Sequence, residues 1–84
     1  MAKINRKLWD RARQSELSGE IALYTLEGDV PCGLETLRRA ARQYEDSGDL
    51  ASAYKISLLV DDNPDHGTEE DKKQTRRLEK LLFE

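Results

Sequence analysis

The sequence predicts a small all-α domain of three to four helices containing one αα-hairpin, and three observations predict it. Leu34, Leu37, Ala41 and Tyr44 recur every three or four positions, which lines them up as one stripe of a helix. Gly48 follows that stripe, where a residue free to take the left-handed φ ends a helix at no steric cost, and a second run begins at once with Leu50. Apolar and charged residues each make up 37% of the chain at a mean hydropathy of -0.82. Because the apolar residues are periodic, that balance describes a folded helical domain with a thin core rather than a disordered chain.

The elements follow in order, as helices over roughly 4–18, 20–27, 34–47, 49–61 and 69–82 of one domain spanning 1–84. Ile4, Leu8 and Ala12 share one face with Trp9 beside it, and the first helix should fail near Ser18-Gly19. The run Ile21-Ala22-Leu23-Tyr24-Thr25-Leu26 is apolar on every side, so periodicity leaves 20–27 open between a short helix and a strand; neighbouring helices favour helix. Gly28 to Gly33, with a proline and two glycines, reads as a loop. After the hairpin, Asp61 to Gly67 is a second loop rich in Asp, Asn, Pro and Gly, and Thr68 with Asp71 three residues on makes a capping-box start for the last helix. Leu37, Ala41, Tyr44, Ala53, Ile56, Val60 and Leu78 are the expected core. With 84 residues the chain hides roughly 60–65% of its unfolded surface, enough for a modest core.

The stretch from Leu37 to Pro64 resembles a tetratricopeptide repeat. It has a large apolar residue at Leu37, small residues at Ala40 and Ala41, then Tyr44, Gly48-Asp49, Ala53 and a terminating Asn63-Pro64. It departs from that pattern at Ser57, at Val60 and in the early placing of Pro64. The resemblance, over about 34–64, implies a TPR-like hairpin whose first helix lines a ligand groove, so that Arg38, Arg42 and Glu45 would contact a peptide or a partner helix. A weaker similarity is to the small bacterial negative regulators of AraC-type activators, which share an Ala-Ala, Glu, Gly-Asp, Ala hairpin but carry a tryptophan that this hairpin lacks.

Several chemistries are excluded by residue type and spacing. Asp61 to Gly67 mimics a calcium loop, but its glycine stands at the seventh position and Lys72 where a bidentate Glu is required. His66 and Cys32 are the sole histidine and cysteine, too few for a structural zinc site, and no nucleophile and base are paired in the pattern. The carboxylates Asp61 and Asp62 lie in a polar loop with nothing apolar to raise a pKa. The expectation is therefore no enzyme, no metal and no cofactor. No apolar run is long enough to span a membrane, and a lone cysteine suits a reducing, cytoplasmic setting.

Charge points to a binding role. Residues 1–14 hold five basic and one acidic side chain, 15–71 four and fourteen, and 72–84 five and two. Lys72, Lys73, Arg76, Arg77 and Lys80 crowd one side of the last helix at spacings where like charges repel, so an anion is expected beside them, either the chain's own acidic middle or a partner. For Arg38, Arg42 and their neighbours the bland alternative is pairing along the helix, Glu35 with Arg39 and Arg42 with Asp46. Trp9 is either core or an interface anchor. The candidate partner-binding residues are thus Trp9, Arg38, Arg42, Glu45, Lys73, Arg76, Arg77 and Lys80. The expected function is that of a small non-enzymatic adaptor or regulator, bacterial or phage in character, that binds a protein partner. The alternative is a nucleic-acid-binding transcriptional regulator using basic terminal helices through Lys3, Lys7, Arg11 and the Lys72 to Lys80 stripe, against which stand the net charge of -3 and a pI near 5.2. A homodimer is the further partner kept open.

Overall fold

A computed structural model describes residues 3–25, 30–63 and 67–83, which form four helices and, among the described residues, no strand. They are α1 (Arg6–Tyr24), α2 (Val30–Ser47), α3 (Leu50–Asp61) and α4 (Glu69–Phe83). Each helix packs on the next in the chain, giving a slab 41 × 27 × 13 Å. The seven expected core residues are all in the single buried cluster, together with Ala12 and Leu34.

The joint between α2 and α3 is closed by backbone geometry. Gly48 takes φ 99°, its N–H donates to Glu45 O (3.0 Å), and the Asp49 N–H donates to Tyr44 O (3.0 Å). This pair of bonds is a Schellman motif, which satisfies two carbonyls that the helix end would leave bare. Asp49 then caps α3, accepting from Ser52 N and Ser52 Oγ, and its carboxylate also accepts the Trp9 indole N–H at 2.9 Å. At the far joint Thr68 and Asp71 form the expected capping box: Thr68 N donates to Asp71 Oδ2 (2.9 Å) and Asp71 N to Thr68 Oγ1 (3.3 Å).

Two boundaries differ from the sequence reading, and glycine is the reason in both. The spans 4–18 and 20–27 are one continuous helix, α1, which runs through Ser18-Gly19 as far as Tyr24. The run at Ile21 is therefore helix up to that point, and 26–29 lie outside the described residues. Val30 to Gly33, expected as loop, form the first turn of α2; Pro31 fits there because the first N–H groups of a helix have no intrahelical acceptor. Gly19 and Gly33 act as contact surfaces instead of breakers. A Cβ on Gly19 would stand 2.8 Å from Leu37 Cγ, and one on Gly33 would stand 3.0 Å from Leu23 N and 3.1 Å from Gly19 O. The two helices cross antiparallel at this point with almost no side chain between them, and Asn5, the α1 N-cap, donates its N–H to Ser47 O (2.7 Å) at the other end. The remaining expected boundaries agree within about one or two residues, the variation normal for helix ends. Pro64, Asp65 and His66 of the second loop lie outside the described residues.

Gly33→Ala tests the crossing. Ala has the better helix propensity by about 1 kcal/mol, but its methyl meets backbone that cannot swing aside, so overpacking of roughly 1–3 kcal/mol dominates. Urea unfolding should show a net loss of stability; a gain would mean that the helices stand farther apart.

Candidate functional site

The core stripe of α2 turns the opposite face of that helix outward, and this face carries Glu35, Arg38, Arg39, Arg42 and Asp46. Between it and the start of α4 lies a cleft of about 300 Å³. Buried Ala41, Ser57 and Val60 make its floor, and Arg38, Arg42 and Asp71 stand among its walls. Small residues at the floor leave room because no long side chain fills the angle where α2, α3 and α4 meet.

Ion pairing sorts the arginines into two groups. Arg38 grips Asp71 as a fork, Nε to Oδ1 and Nη2 to Oδ2, each 2.9 Å, and also reaches Glu35 at 3.2 Å. Arg77 forks onto Glu45, whose Oε1 also accepts from Gln74 Nε2. Arg13 pairs with Glu16, a buried carboxylate that also accepts the Tyr44 hydroxyl. By contrast Arg6, Arg11, Arg39, Arg42 and Arg76 have no carboxylate within 4.0 Å among the described residues. Such fork geometry matters because it converts a weak surface charge pair into two directed hydrogen bonds.

The electrostatics follow from these contacts. Burial pushes the Asp71 carboxyl up, but the Arg38 fork and the Thr68 donors outweigh it, so its pKa lies below the ordinary aspartate value. The Arg77 fork likewise lowers Glu45 against the opposing effect of burial. At Asp49 burial raises, and the Ser52 and Trp9 donors more than reverse it. Burial, and then the bond to Glu16, push the Tyr44 phenol up to about 12.

The candidate residues fall into three places. Arg38, Glu45 and Arg77 are joined across α2 and α4 as described. Trp9 is half-buried at the α2–α3 turn, where its ring meets Tyr44 edge-on (centroids 5.9 Å apart) and Arg6 lies 5.4 Å over it. Arg42 is exposed at the cleft, whereas Lys73, Arg76 and Lys80 are exposed on α4. Lys72 and Lys73 reach Glu69 and Glu70 only at 3.9 Å, so among the described residues one member of the basic stripe, Arg77, is firmly neutralised. The pairs Glu35 with Arg39 and Arg42 with Asp46 do not form. Glu35 turns to Arg38, its neighbour at i+3, which is already held in place by Asp71.

Sequence reasoning did not bring Arg11 and Arg39 together. They share a polar groove between α1 and α2 with Ser15, whose hydroxyl donates to Gln43 Oε1 at 2.7 Å. Arg11 and Ser18, seven positions apart, already share a face of the expected first helix, but spacing does not say that Arg39 of α2 lies opposite them. Among the described residues no group of three or more His, Cys, Asp or Glu is placed to hold a metal ion, and no helix is long and apolar enough to cross a membrane.

No family model, curated protein or solved structure matches this chain.

The Asp71 clip predicts an acid limb of stability. A carboxyl whose folded pKa is depressed contributes stability that is fully present above its unfolded value, about 3.9, and that is lost as pH falls through the folded value. Urea unfolding midpoints should therefore drop below about pH 4, and Asp71→Asn should flatten that drop while lowering stability at pH 7 by about 1–3 kcal/mol. An unchanged pH profile in the variant would place the acid sensitivity elsewhere.

Proposed function

We propose that this protein is a non-enzymatic adaptor or regulator that binds a protein partner stoichiometrically over the outward face of α2. The observation that carries the reading is the division of the arginines. Arg38 and Arg77 are committed to links between α2 and α4 and Arg13 to a pair within α1, whereas Arg39 and Arg42 stand side by side on one exposed ridge with no carboxylate of their own among the described residues. Arginine is among the side chains that contribute most at protein interfaces, and a guanidinium not yet committed to an internal partner is the form that can do so. Helices that each pack on the next in the chain support the likeness to a tetratricopeptide hairpin, where such a face recognises peptides. In this reading Trp9, Arg38, Glu45 and Arg77 shape the surface, and Arg42 meets the partner. The lone Cys32 fits work in a reducing, cytoplasmic compartment.

A second reading, nucleic-acid binding, draws on α4, where Arg76 and Lys80 are exposed without an ion pair among the described residues. The excess of negative charge on the whole chain opposes it.

Capture from a lysate by the immobilised chain separates the two. Protein binding through α2 predicts a reproducible, near-stoichiometric protein that survives nuclease treatment. It should be lost with Arg42→Glu and kept with the double variant Arg76→Glu and Lys80→Glu. Material lost with the α4 variant or with nuclease would shift the function to nucleic acid.

A further inference from the structure

On the other side of the arginine ridge from the cleft, Arg11, Gln14 and Ser18 of α1 face Thr36, Arg39 and Gln43 of α2 across an open groove of about 430 Å³. Among the described residues no carboxylate lines it, although the chain carries seventeen acidic residues against fourteen basic ones. Of the acidic positions on α2, Glu45 turns to Arg77 of α4, and Glu35 and Asp46, about one turn before Arg39 and after Gln43, pair with neither Arg39 nor Arg42. Lys7 extends the cationic line one turn towards the start of α1. Gly19 and Gly33 bring the two helices close, and polar side chains line the groove between them.

We infer that this groove binds an extended, acidic peptide segment of the partner, an assignment that rests on the protein-binding reading. Two guanidiniums on opposite walls suit carboxylates, which they can meet as forks. Between them Gln14 and Ser18 can both donate and accept, the Thr36 hydroxyl, which donates to Cys32 O (3.0 Å), can accept, and Gln43, whose Oε1 already takes the Ser15 hydroxyl, can donate through its amide nitrogen. A peptide backbone needs that mixture, whereas a phosphodiester offers acceptors only. No aromatic side chain lines the groove, so bases would find nothing to stack on. The chemistry thus favours acidic peptide over nucleic acid.

The test uses the full chain with three fluorescein-labelled probes: a peptide of alternating Glu and Gly, its Gln counterpart, and oligothymidylate. The Glu peptide should bind saturably, at least about tenfold more tightly than the Gln peptide, a difference of about 1.4 kcal/mol. Amide shifts in nitrogen-edited NMR should centre on Ser18, Thr36, Arg39 and Gln43. Arg11→Gln with Arg39→Gln should weaken binding about tenfold or more, whereas Arg76→Gln with Lys80→Gln, which removes the same charge, should leave it within about twofold. Ser18→Lys adds a cation at an exposed helical position and should tighten it, a gain that misfolding cannot produce. The assignment is overturned if binding is not saturable, if both double variants weaken it equally, if the shifts centre elsewhere, or if oligothymidylate displaces the peptide. Should the peptide fail while capture still depends on Arg42, the acidic-peptide assignment alone is lost; should capture fail too, the protein-binding reading goes with it.

Discussion

The close crossing of α1 and α2 at Gly19 and Gly33 is the constraint on which the rest of the structure depends. With no Cβ on either residue the helices meet almost backbone to backbone, and Leu37 fills the space over Gly19. That contact fixes the distance between the helices and so the width of the polar groove. It also sets the rotation of α2, whose inner side must bury Leu34, Leu37, Ala41 and Tyr44 in the common core. Once that side is committed, Arg39 and Arg42 have nowhere to go but outward. In a chain this small, burying a few large side chains at about 1.5–3 kcal/mol each decides the orientation of everything polar.

The second constraint is Asp71. One buried carboxylate closes the N-terminus of α4 through Thr68 and holds α2 through the Arg38 fork, so a local capping device and a tertiary link share the same two oxygens. Asp49 plays the same part at the other joint, capping α3 while accepting the Trp9 indole from α1. Buried carboxylates with several donors are costly to leave half-satisfied, which makes such joints specific as well as stable. Asp71 thus ties α4 to α2 beside the cleft at Arg42, and Asp49 ties α3 to α1.

Much of this was legible in the residues. The stripe through Leu37 and Tyr44, the left-handed stop at Gly48 and the box of Thr68 with Asp71 each rest on short-range geometry, which sequence spacing carries directly. What spacing does not carry is the identity of a long-range neighbour. Gly19 reads locally as a break, and only the approach of Gly33 from another helix makes it an interior contact. The same holds for charge: Glu35, Arg39, Arg42 and Asp46 stand at helical pairing distance, yet Arg38 takes Glu35 because Asp71, thirty-three positions away in the chain, has already oriented it. The proposal that Arg42 faces a partner starts from what the tetratricopeptide resemblance implies, whereas the groove at Arg11 and Arg39 needed the helix crossing.

The central claim is that the arginines divide into those that hold the fold and those that do not. Urea unfolding of Arg38→Gln, Arg77→Gln, Arg39→Gln and Arg42→Gln, measured side by side at pH 7 and low salt, tests it most directly. Arg38→Gln should cost about 1–3 kcal/mol because it strips a buried carboxylate of its fork, and Arg77→Gln up to about 1 kcal/mol, the scale of a partly exposed pair. Arg39→Gln and Arg42→Gln should stay within about 0.5 kcal/mol of the native chain. A loss at Arg39 or Arg42 equal to that at Arg38 would contradict the division and remove the reason for assigning the α2 face to a partner.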